Sequence, residues 1–190
     1  MKLHQGFEVV FSNFDEIRII NLASRKDRRA KMIGELRRVG IADDPRVEFF
    51  DAISFPDAGA FSSPGARGVF YSQLEILDQA ARRGHSVLIV EDDVDFVDGA
   101  EKFVPDEDWA IFYGGYYAKD PENLQESDII GAHLMGFSAS IVPRVADYLR
   151  SISCDGIHPP IDGAYVWFRR AHPDVPTLFA RPPLGHQRPS

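Results

Sequence analysis

The sequence has few of the features that mark secreted, disulfide-rich or membrane-spanning proteins. Cys154 is the only cysteine, so an internal disulfide is excluded and a reducing compartment is favoured. The N-terminal stretch MKLHQGFEVVFSNFDE has neither an apolar core nor a small-residue cleavage site, which argues against a signal peptide. No apolar run approaches the roughly 20 residues of a membrane span. We therefore expect a cytoplasmic protein without a transmembrane segment, and peripheral contact with the inner face of a membrane stays open.

Positive charge is scarce as well. The chain has 21 Lys and Arg against 29 Asp and Glu, which gives a net charge of −8. Such a chain repels nucleic-acid backbones, so no nucleic-acid partner is expected. The phosphate-binding patterns G-x-x-x-x-G-K-[ST] and G-x-G-x-x-G are absent, which argues against a P-loop or a dinucleotide fold. What is present is ample apolar material, 44% of 190 residues, enough for the core of one domain over 1–190. Residues 1–15 would be an N-terminal extension and 183–190 a tail.

Strands and helices are predicted to alternate along the chain. The expected strands are 16–22, 46–52, 86–92 and 108–115, followed by one or two within 131–143 and one near the C-terminus, and the expected helices are 24–40, 69–84, 144–152 and 162–171. Alternation of this kind predicts an α/β protein with helices on both faces of its sheet. The run VLIV at 87–90 is typical of a central parallel strand.

The helix boundaries and one long loop are predicted from local signals. Ser24 is a plausible N-cap of the first helix, and Gly40 a plausible stop. Residues 54–68, rich in Ser, Gly and Pro, are predicted to form a loop. A loop of that length inside a compact domain is more often a binding loop than a simple connection.

The most informative stretch is SVLIVEDDVDFVDG, residues 86–99. A buried strand runs directly into Glu91, Asp92 and Asp93, and ligands of open α/β sheets bind beyond the carboxyl ends of strands. Crowded carboxylates repel one another unless one is protonated or a cation joins them. Oxygen ligands suit Mg²⁺ or Mn²⁺. The competing interpretation is a solvated acidic turn.

Three other site types could use this stretch. A calcium-binding EF-hand loop starting at Asp93 would need Asp or Asn and then Gly where Val97 and Asp98 stand, so it is excluded. A response-regulator receiver would need an Asp after a later strand and a Lys near another strand end, and HLMGFSASIV offers no Asp. A metal-dependent phosphohydrolase using Asp93 and Asp95 stays open as an alternative.

Seven segments in order resemble glycosyltransferase family 25, the family of lipooligosaccharide and collagen galactosyltransferases. They are IINLASRKDRRAKM, VEFFDAI, GVFYSQLEILDQA, VLIVEDDVDF, GAHLMGFSASIVPRVADYL, PIDGAYVWF and RPPLGHQRPS, and they cover about residues 17–190. The resemblance implies a GT-A-like fold, a mostly parallel nucleotide-binding sheet flanked by helices. It also implies inverting transfer of a sugar, commonly galactose from UDP-galactose, to a glycan acceptor such as lipopolysaccharide.

The resemblance also implies where the metal and nucleotide bind. Asp93 is our first choice and Asp92 our second for direct contact with Mn²⁺ or Mg²⁺, because a diphosphate leaving group needs its charge neutralised. Glu91 would hydrogen-bond the ribose or orient the neighbouring side chains. Asp95 would support the metal ligands without contacting the metal, or it would be a solvated loop acid. In the family, the segment holding Asn21, Leu22, Arg25 and Arg28 lies at the nucleotide. We expect one of the two arginines to bind phosphate, although a basic solvated helix face would show the same residues.

The remaining candidates come from three further segments. Ser72 and Gln73 stand where the family usually has Ser-His, so any role that needs an imidazole is in doubt. Asp162 is the candidate base for the acceptor hydroxyl, with capping of the next helix as an equally good account. Gln187 is a candidate at the donor. His186, a hypothetical metal or diphosphate contact, is as readily an exposed tail residue. A catalytically inactive nucleotide-sugar-binding protein also stays open.

Overall fold

The computed structural model describes residues 10–105 and 108–189, so most of the predicted N-terminal extension lies outside it. The strands are β1 Glu16–Asn21, β2 Val47–Asp51, β3 Val87–Glu91, β4 Val94–Phe96, β5 Ile111–Ala118, β6 Ile129–Phe137, β7 Thr177–Phe179 and β8 Gly185–Gln187. The helices are α1 Lys26–Arg38, α2 Pro64–Arg83, α3 Val142–Ser151 and α4 Ile161–Ala171, with 3₁₀ turns at Val10–Asn13 and Ala100–Lys102. None of the described helices is both long and apolar enough to cross a membrane.

Six strands form one sheet in the order β2-β1-β3-β6-β5-β7. β1 pairs in parallel with both β2 and β3, and β5 pairs in parallel with β7. β6 is antiparallel to its two neighbours, β3 and β5. Five of the six strands therefore run in one direction, and the predicted α/β class with a mostly parallel sheet is confirmed.

The sheet is covered on both faces, which explains the continuous apolar run in β3. Ile89 packs into a core with residues of α2, α3 and α4, whereas Leu88 and Val90 pack into a second core with α1. Successive side chains of a strand point to opposite faces, so a central strand needs apolar residues at every position. Within β3, the first polar side chain is therefore that of Glu91, at the end of the strand.

The starts of α1 and α2 differ from the prediction because of their caps, and α3 and α4 begin two residues and one residue early. α1 begins at Lys26, and its N-cap is Arg25 rather than Ser24, without a capping hydrogen bond from a side chain. α2 begins at Pro64, five residues before the expected start, because the Ser63 hydroxyl accepts a 3.0 Å hydrogen bond from the Ala66 amide and proline suits the first helical position. The predicted loop 54–68 is correspondingly shorter. Gly40, at φ 78°, follows the end of α1 as expected.

Two short strands lie in stretches for which no strand was predicted. β4, directly after the acidic residues, pairs antiparallel with β8 in the C-terminal segment, so that Asp95 stands opposite His186. β5 also runs on to Ala118, three residues past the predicted end of that strand at 115. The pairing of β4 with β8 brings the end of the described chain onto the acidic stretch.

Candidate active site

The carboxyl ends of β1 and β3 meet at the centre of the site. Ile20 is in register with Glu91, so Asn21 lies beside Asp92, and both side chains are buried. The Asn21 amide donates a 2.6 Å hydrogen bond to Asp92 Oδ2. The fold thus brings these two site candidates into contact.

Arg28 reaches the same point from the first turn of α1. Its Nη1 atom lies 3.1 Å from Asp92 Oδ1 and 3.2 Å from Asp93 Oδ2, so one guanidinium bridges two adjacent carboxylates. Arg25 instead donates to both oxygens of Asp27 on the exposed surface of the helix. Of the two arginine candidates, Arg28 is therefore the one that contacts the acidic residues. We call Asn21, Arg28, Asp92 and Asp93 the carboxylate corner.

One carboxylate oxygen of the corner has no protein partner. Asp93 Oδ1 is buried and accepts no hydrogen bond. An unsatisfied buried carboxylate oxygen costs free energy that a cation would recover. Within 10–105 and 108–189, no three His, Cys, Asp or Glu side chains are grouped closely enough to hold a metal. Mg²⁺ commonly binds one or two carboxylates, with phosphates and water completing its shell, and Asp92 and Asp93 fit that donor set.

Glu91, the last residue of β3, lies next to the carboxylate corner and contacts two glutamine side chains. Its Oε2 accepts a 2.9 Å hydrogen bond from the Gln187 amide, and Gln73 lies 3.5 Å from Oε1. Burial raises the pKa of Glu91 to about 7, and the negative charge of Asp93 adds to the rise while the bond from Gln187 opposes it. Glu91 therefore changes charge near neutral pH, unlike an ordinary surface carboxylate.

Gln73 occupies a fully buried position that joins three elements. Its Oε1 accepts a 2.8 Å hydrogen bond from the Tyr165 hydroxyl of α4, and its Nε2 lies 3.4 Å from the Ala132 carbonyl of β6. Since both ends of the amide are engaged, Gln73 orients its neighbours from beneath Glu91. This placement matches an orienting function and requires no imidazole.

Ser72 and Leu22 belong to a neighbouring region. The buried Ser72 hydroxyl donates to the Gly68 carbonyl at 2.7 Å and accepts from the Ile53 amide at 2.8 Å, so it braces the loop after β2 rather than the corner. Leu22 is exposed and lines a mainly apolar cavity of about 280 Å³ with Phe55, Gly68 and other residues of that loop and of α2. Leu22 directly follows Asn21, so this cavity adjoins the carboxylate corner.

Asp162 lies in the first turn of α4, where Pro160 is the N-cap, so the expected cap role is not observed. Its Oδ2 accepts a 2.8 Å bond from the Gly131 amide of β6, and its Oδ1 accepts one of the same length from the Gly163 amide. Its charge contributes to the raised pKa of Glu91. Asp162 thus joins α4 to β6 within electrostatic range of Glu91.

Arg188 contacts the site, although no sequence pattern predicts that it does. It donates to Asp95 Oδ1 and to the Asp92 carbonyl, each at 2.6 Å, and its amide donates to the Asp93 carbonyl at 2.7 Å. Its position depends on the long-range pairing of β4 with β8, for which no local pattern exists. Asp95 is consequently engaged in an ion pair with Arg188.

Asp98, the last carboxylate of the acidic stretch, is fully exposed and contacts Arg38.

His133 of β6 is buried at the back of the site. Its Nε2 donates to the Gly185 carbonyl at 3.1 Å, and its Nδ1 has no partner. A Cβ atom at Gly115 would lie 2.5 Å from this ring, so glycine at that position makes room for the imidazole. Burial lowers the pKa of His133, which favours the neutral ring. The buried ring thus packs between β5 and β8 as a structural side chain.

Comparison with known proteins yields structural matches only. No family model and no curated protein matches the chain. A glycosyltransferase involved in the glycosylation of the major capsid of PBCV-1 matches with a TM-score of 0.52 at 12% identity, over 87% of this chain and 81% of that one.

Two further solved structures match with TM-scores below 0.5. The glycosyltransferase GlyE of Streptococcus pneumoniae TIGR4 has a TM-score of 0.48 at 10% identity, over 94% of this chain and 55% of its own. The CTP:phosphocholine cytidylyltransferase LicC of Streptococcus pneumoniae has a TM-score of 0.39 at 11% identity, over 91% and 92%. The match to the capsid glycosyltransferase, together with the strand order, identifies a GT-A-like α/β fold.

Proposed function

We propose that the protein is a metal-dependent inverting glycosyltransferase of the family 25 type. It would move a sugar, with galactose our first choice, from a UDP-sugar to a glycan acceptor such as lipopolysaccharide. The observation that carries the proposal is the carboxylate corner, with its unsatisfied Asp93 Oδ1, next to the apolar cavity at Leu22. A nucleotide diphosphate needs a flat apolar site for its base and a cation for its phosphates, and the two features lie side by side.

The side chains of the carboxylate corner have different proposed roles in binding the donor. Asp92 and Asp93 would hold Mn²⁺ or Mg²⁺, which supplies positive charge for the leaving diphosphate. Asn21 fixes the rotamer of Asp92 through its 2.6 Å hydrogen bond. Arg28 lies at both carboxylates and can turn toward a phosphate, for which a guanidinium has matching donor geometry.

Asp162 is the proposed base for the acceptor hydroxyl. Each of its oxygens accepts one backbone amide, which fixes the carboxylate and leaves lone pairs to receive a proton. Removal of a general base typically lowers turnover by about 10² to 10⁴. We expect Asp162→Asn to show a loss of that size in turnover while UDP affinity stays unchanged, as measured by transfer assay and calorimetry. A matching loss of UDP affinity would contradict the assignment.

A thermal-shift screen tests the function as a whole. Ligands that bind the folded chain raise its unfolding midpoint by mass action, so a plate of nucleotide sugars with and without Mn²⁺ ranks the donors. We expect the largest rise with UDP-galactose plus Mn²⁺. No rise with any nucleotide sugar, together with phosphate release from small phosphoesters, would favour the phosphohydrolase alternative. A rise without turnover of the donor would indicate a binding protein.

A further inference from the structure

A second cavity opens on the other side of β8 from the Gln187 side chain. Its volume is about 350 Å³, and its walls are mostly aromatic and prolyl, including Tyr117, Pro182 and Pro183. His186 and Arg181 bring N–H donors to it. Because successive side chains of a strand point to opposite faces, His186 enters this cavity while Gln187 reaches Glu91.

The cavity adjoins the carboxylate corner through His133. The Tyr117 ring lies 5.8 Å from the His133 ring, centroid to centroid. Asp93 and His186 each lie within electrostatic range of His133, one on the corner side and one on the cavity side. A ligand in the cavity would therefore approach a donor held at the corner.

Arg181 is an exposed arginine that lines this cavity. Apart from the exposed Arg37, the other arginines that the structure describes form an ion pair, bond to backbone carbonyls or stack on a ring. Within 10–105 and 108–189, the Arg181 and His186 side chains form neither an ion pair nor a hydrogen bond. The chain carries a net charge of −8, so acidic partners are plentiful, and Arg181 nevertheless faces a cavity without one. A guanidinium in that position suits a carboxylate or phosphate of a ligand.

We propose that this cavity binds the acceptor and that the acceptor is an acidic saccharide. Its ring lies against the exposed face of Tyr117, and its carboxylate or phosphate accepts hydrogen bonds from Arg181, with His186 as a further donor. This inference rests on the proposed glycosyltransferase function, because it identifies the cavity as the second substrate site of that reaction.

Three small probes test the chemistry on the full chain. Methyl β-glucuronide carries a carboxylate, glucose 6-phosphate carries a phosphate, and methyl β-glucoside is the neutral match. Saturation-transfer NMR titrations should show at least one acid binding roughly tenfold more tightly than the glucoside, the size expected for hydrogen bonds to a charged group. The more tightly bound acid identifies the anionic group.

Two variants separate the Arg181 side chain from general charge. Arg181→Gln should abolish the preference for the acid, whereas Arg37→Gln, which removes an exposed arginine lining a different cavity, should retain it. Affinity for UDP with Mn²⁺ should be the same in both variants and the unaltered chain.

Three results would overturn the inference. They are equal binding of the neutral and acidic probes, a preference that survives Arg181→Gln, and a loss of UDP affinity in Arg181→Gln, which would place Arg181 at the donor. Absence of UDP affinity in every protein, with the acid preference intact, would instead contradict the proposed function and leave a site for acidic sugars.

Discussion

At the scale of single residues, the site depends on how adjacent carboxylates are kept from repelling one another. Arg28 bridges Asp92 and Asp93, Asn21 donates to Asp92, and Gln187 donates to Glu91. Arg28 acts through ion pairs, whereas Asn21 and Gln187 both act through amide hydrogen bonds, and Asp93 Oδ1 is left without a partner. The remaining negative charge at that oxygen is what a substrate-bound cation would meet.

Gln73 offers a test of how a fully buried amide supports the site. Gln73→Leu keeps the approximate size of the side chain but leaves the Tyr165 hydroxyl and the Ala132 carbonyl without a partner. Buried groups left unsatisfied cost about 1–3 kcal/mol, so we expect the free energy of unfolding to fall by that amount in urea titrations. Gln79→Leu, on the same helix with a single hydrogen bond to Glu75, is the control and should change little. Equal effects of the two substitutions would contradict the supporting role of Gln73.

Residues at strand ends could be named as site candidates from the sequence, whereas those joined by distant pairing could not. The family resemblance implies one nucleotide site for Asn21, Asp92 and Arg28, and the structure brings them together because the parallel strands β1 and β3 end at one edge of the sheet and α1 starts there. Arg25 and Arg28 could not be told apart, since the choice depends on the helix phase set by an N-cap at Arg25. Arg188 gave no signal, because its contacts depend on a three-residue strand pairing across the chain.

At the scale of elements, the approach of α2 to the loop after β2 shapes the cavity at Leu22. A Cβ atom at Gly68 would lie 2.5 Å from the Ile53 carbonyl oxygen, a backbone atom that cannot easily move. Ser72, one turn further on, fixes the same loop through the Ile53 amide. The Ser63 cap starts α2 early enough to present Gly68 at this contact. The cap signal SSPG is present in the sequence, but Ser, Pro and Gly also favour turns, so the pattern predicts a loop there.

Gly68→Ala should separate α2 from this loop. Overpacking of this kind typically costs about 1–3 kcal/mol, so the free energy of unfolding should fall by that amount, and UDP affinity should fall with it. Gly65→Ala, in the same turn of helix, meets no atom nearer than 3.8 Å and serves as the control. Both quantities can be followed by urea titration and calorimetry. Unchanged UDP affinity in Gly68→Ala would argue against a nucleotide in this cavity.

At the scale of the whole molecule, the alternation of strands and helices was predictable and the strand order was not. Alternating elements and a doubly apolar β3 suffice to predict a sheet covered on both faces. The insertion of antiparallel β6 between β3 and β5 depends on contacts far apart in sequence, which periodicity does not encode. The site is built on both sides of this junction, with Glu91 ending β3 and His133 lying in β6.

Glu16, at the start of β1, links the sheet to the end of α2. It is buried and receives hydrogen bonds from Arg83 at 2.7 Å and Arg18 at 3.0 Å, while the His85 ring lies 2.6 Å away. Burial raises the pKa of this carboxyl, but the hydrogen bonds outweigh it and lower the pKa to about 2. Because the folded value lies below the unfolded one, the stabilisation is present above about pH 4.5 and is lost as the pH falls toward 2.

The pH dependence of stability tests this link. A shift of that size corresponds to roughly 3 kcal/mol, so the unaltered chain should lose about that much more free energy of unfolding than Glu16→Gln between pH 5 and pH 2. Urea titrations at several pH values give both curves. Parallel curves for the two proteins would show that Glu16 does not stabilise the fold through its charge.

Calorimetric titration of UDP with and without Mn²⁺ tests the central claim most directly. We expect UDP to bind in the presence of Mn²⁺, to bind at least about tenfold more weakly without it, and to lose a similar factor in Asp93→Asn, which removes one metal-binding charge at constant shape. Asp98→Asn, which changes a fully exposed carboxylate in the same stretch, should bind as the unaltered chain does. UDP affinity that is independent of Mn²⁺ and unaffected by Asp93→Asn would contradict a metal-dependent nucleotide site at the carboxylate corner.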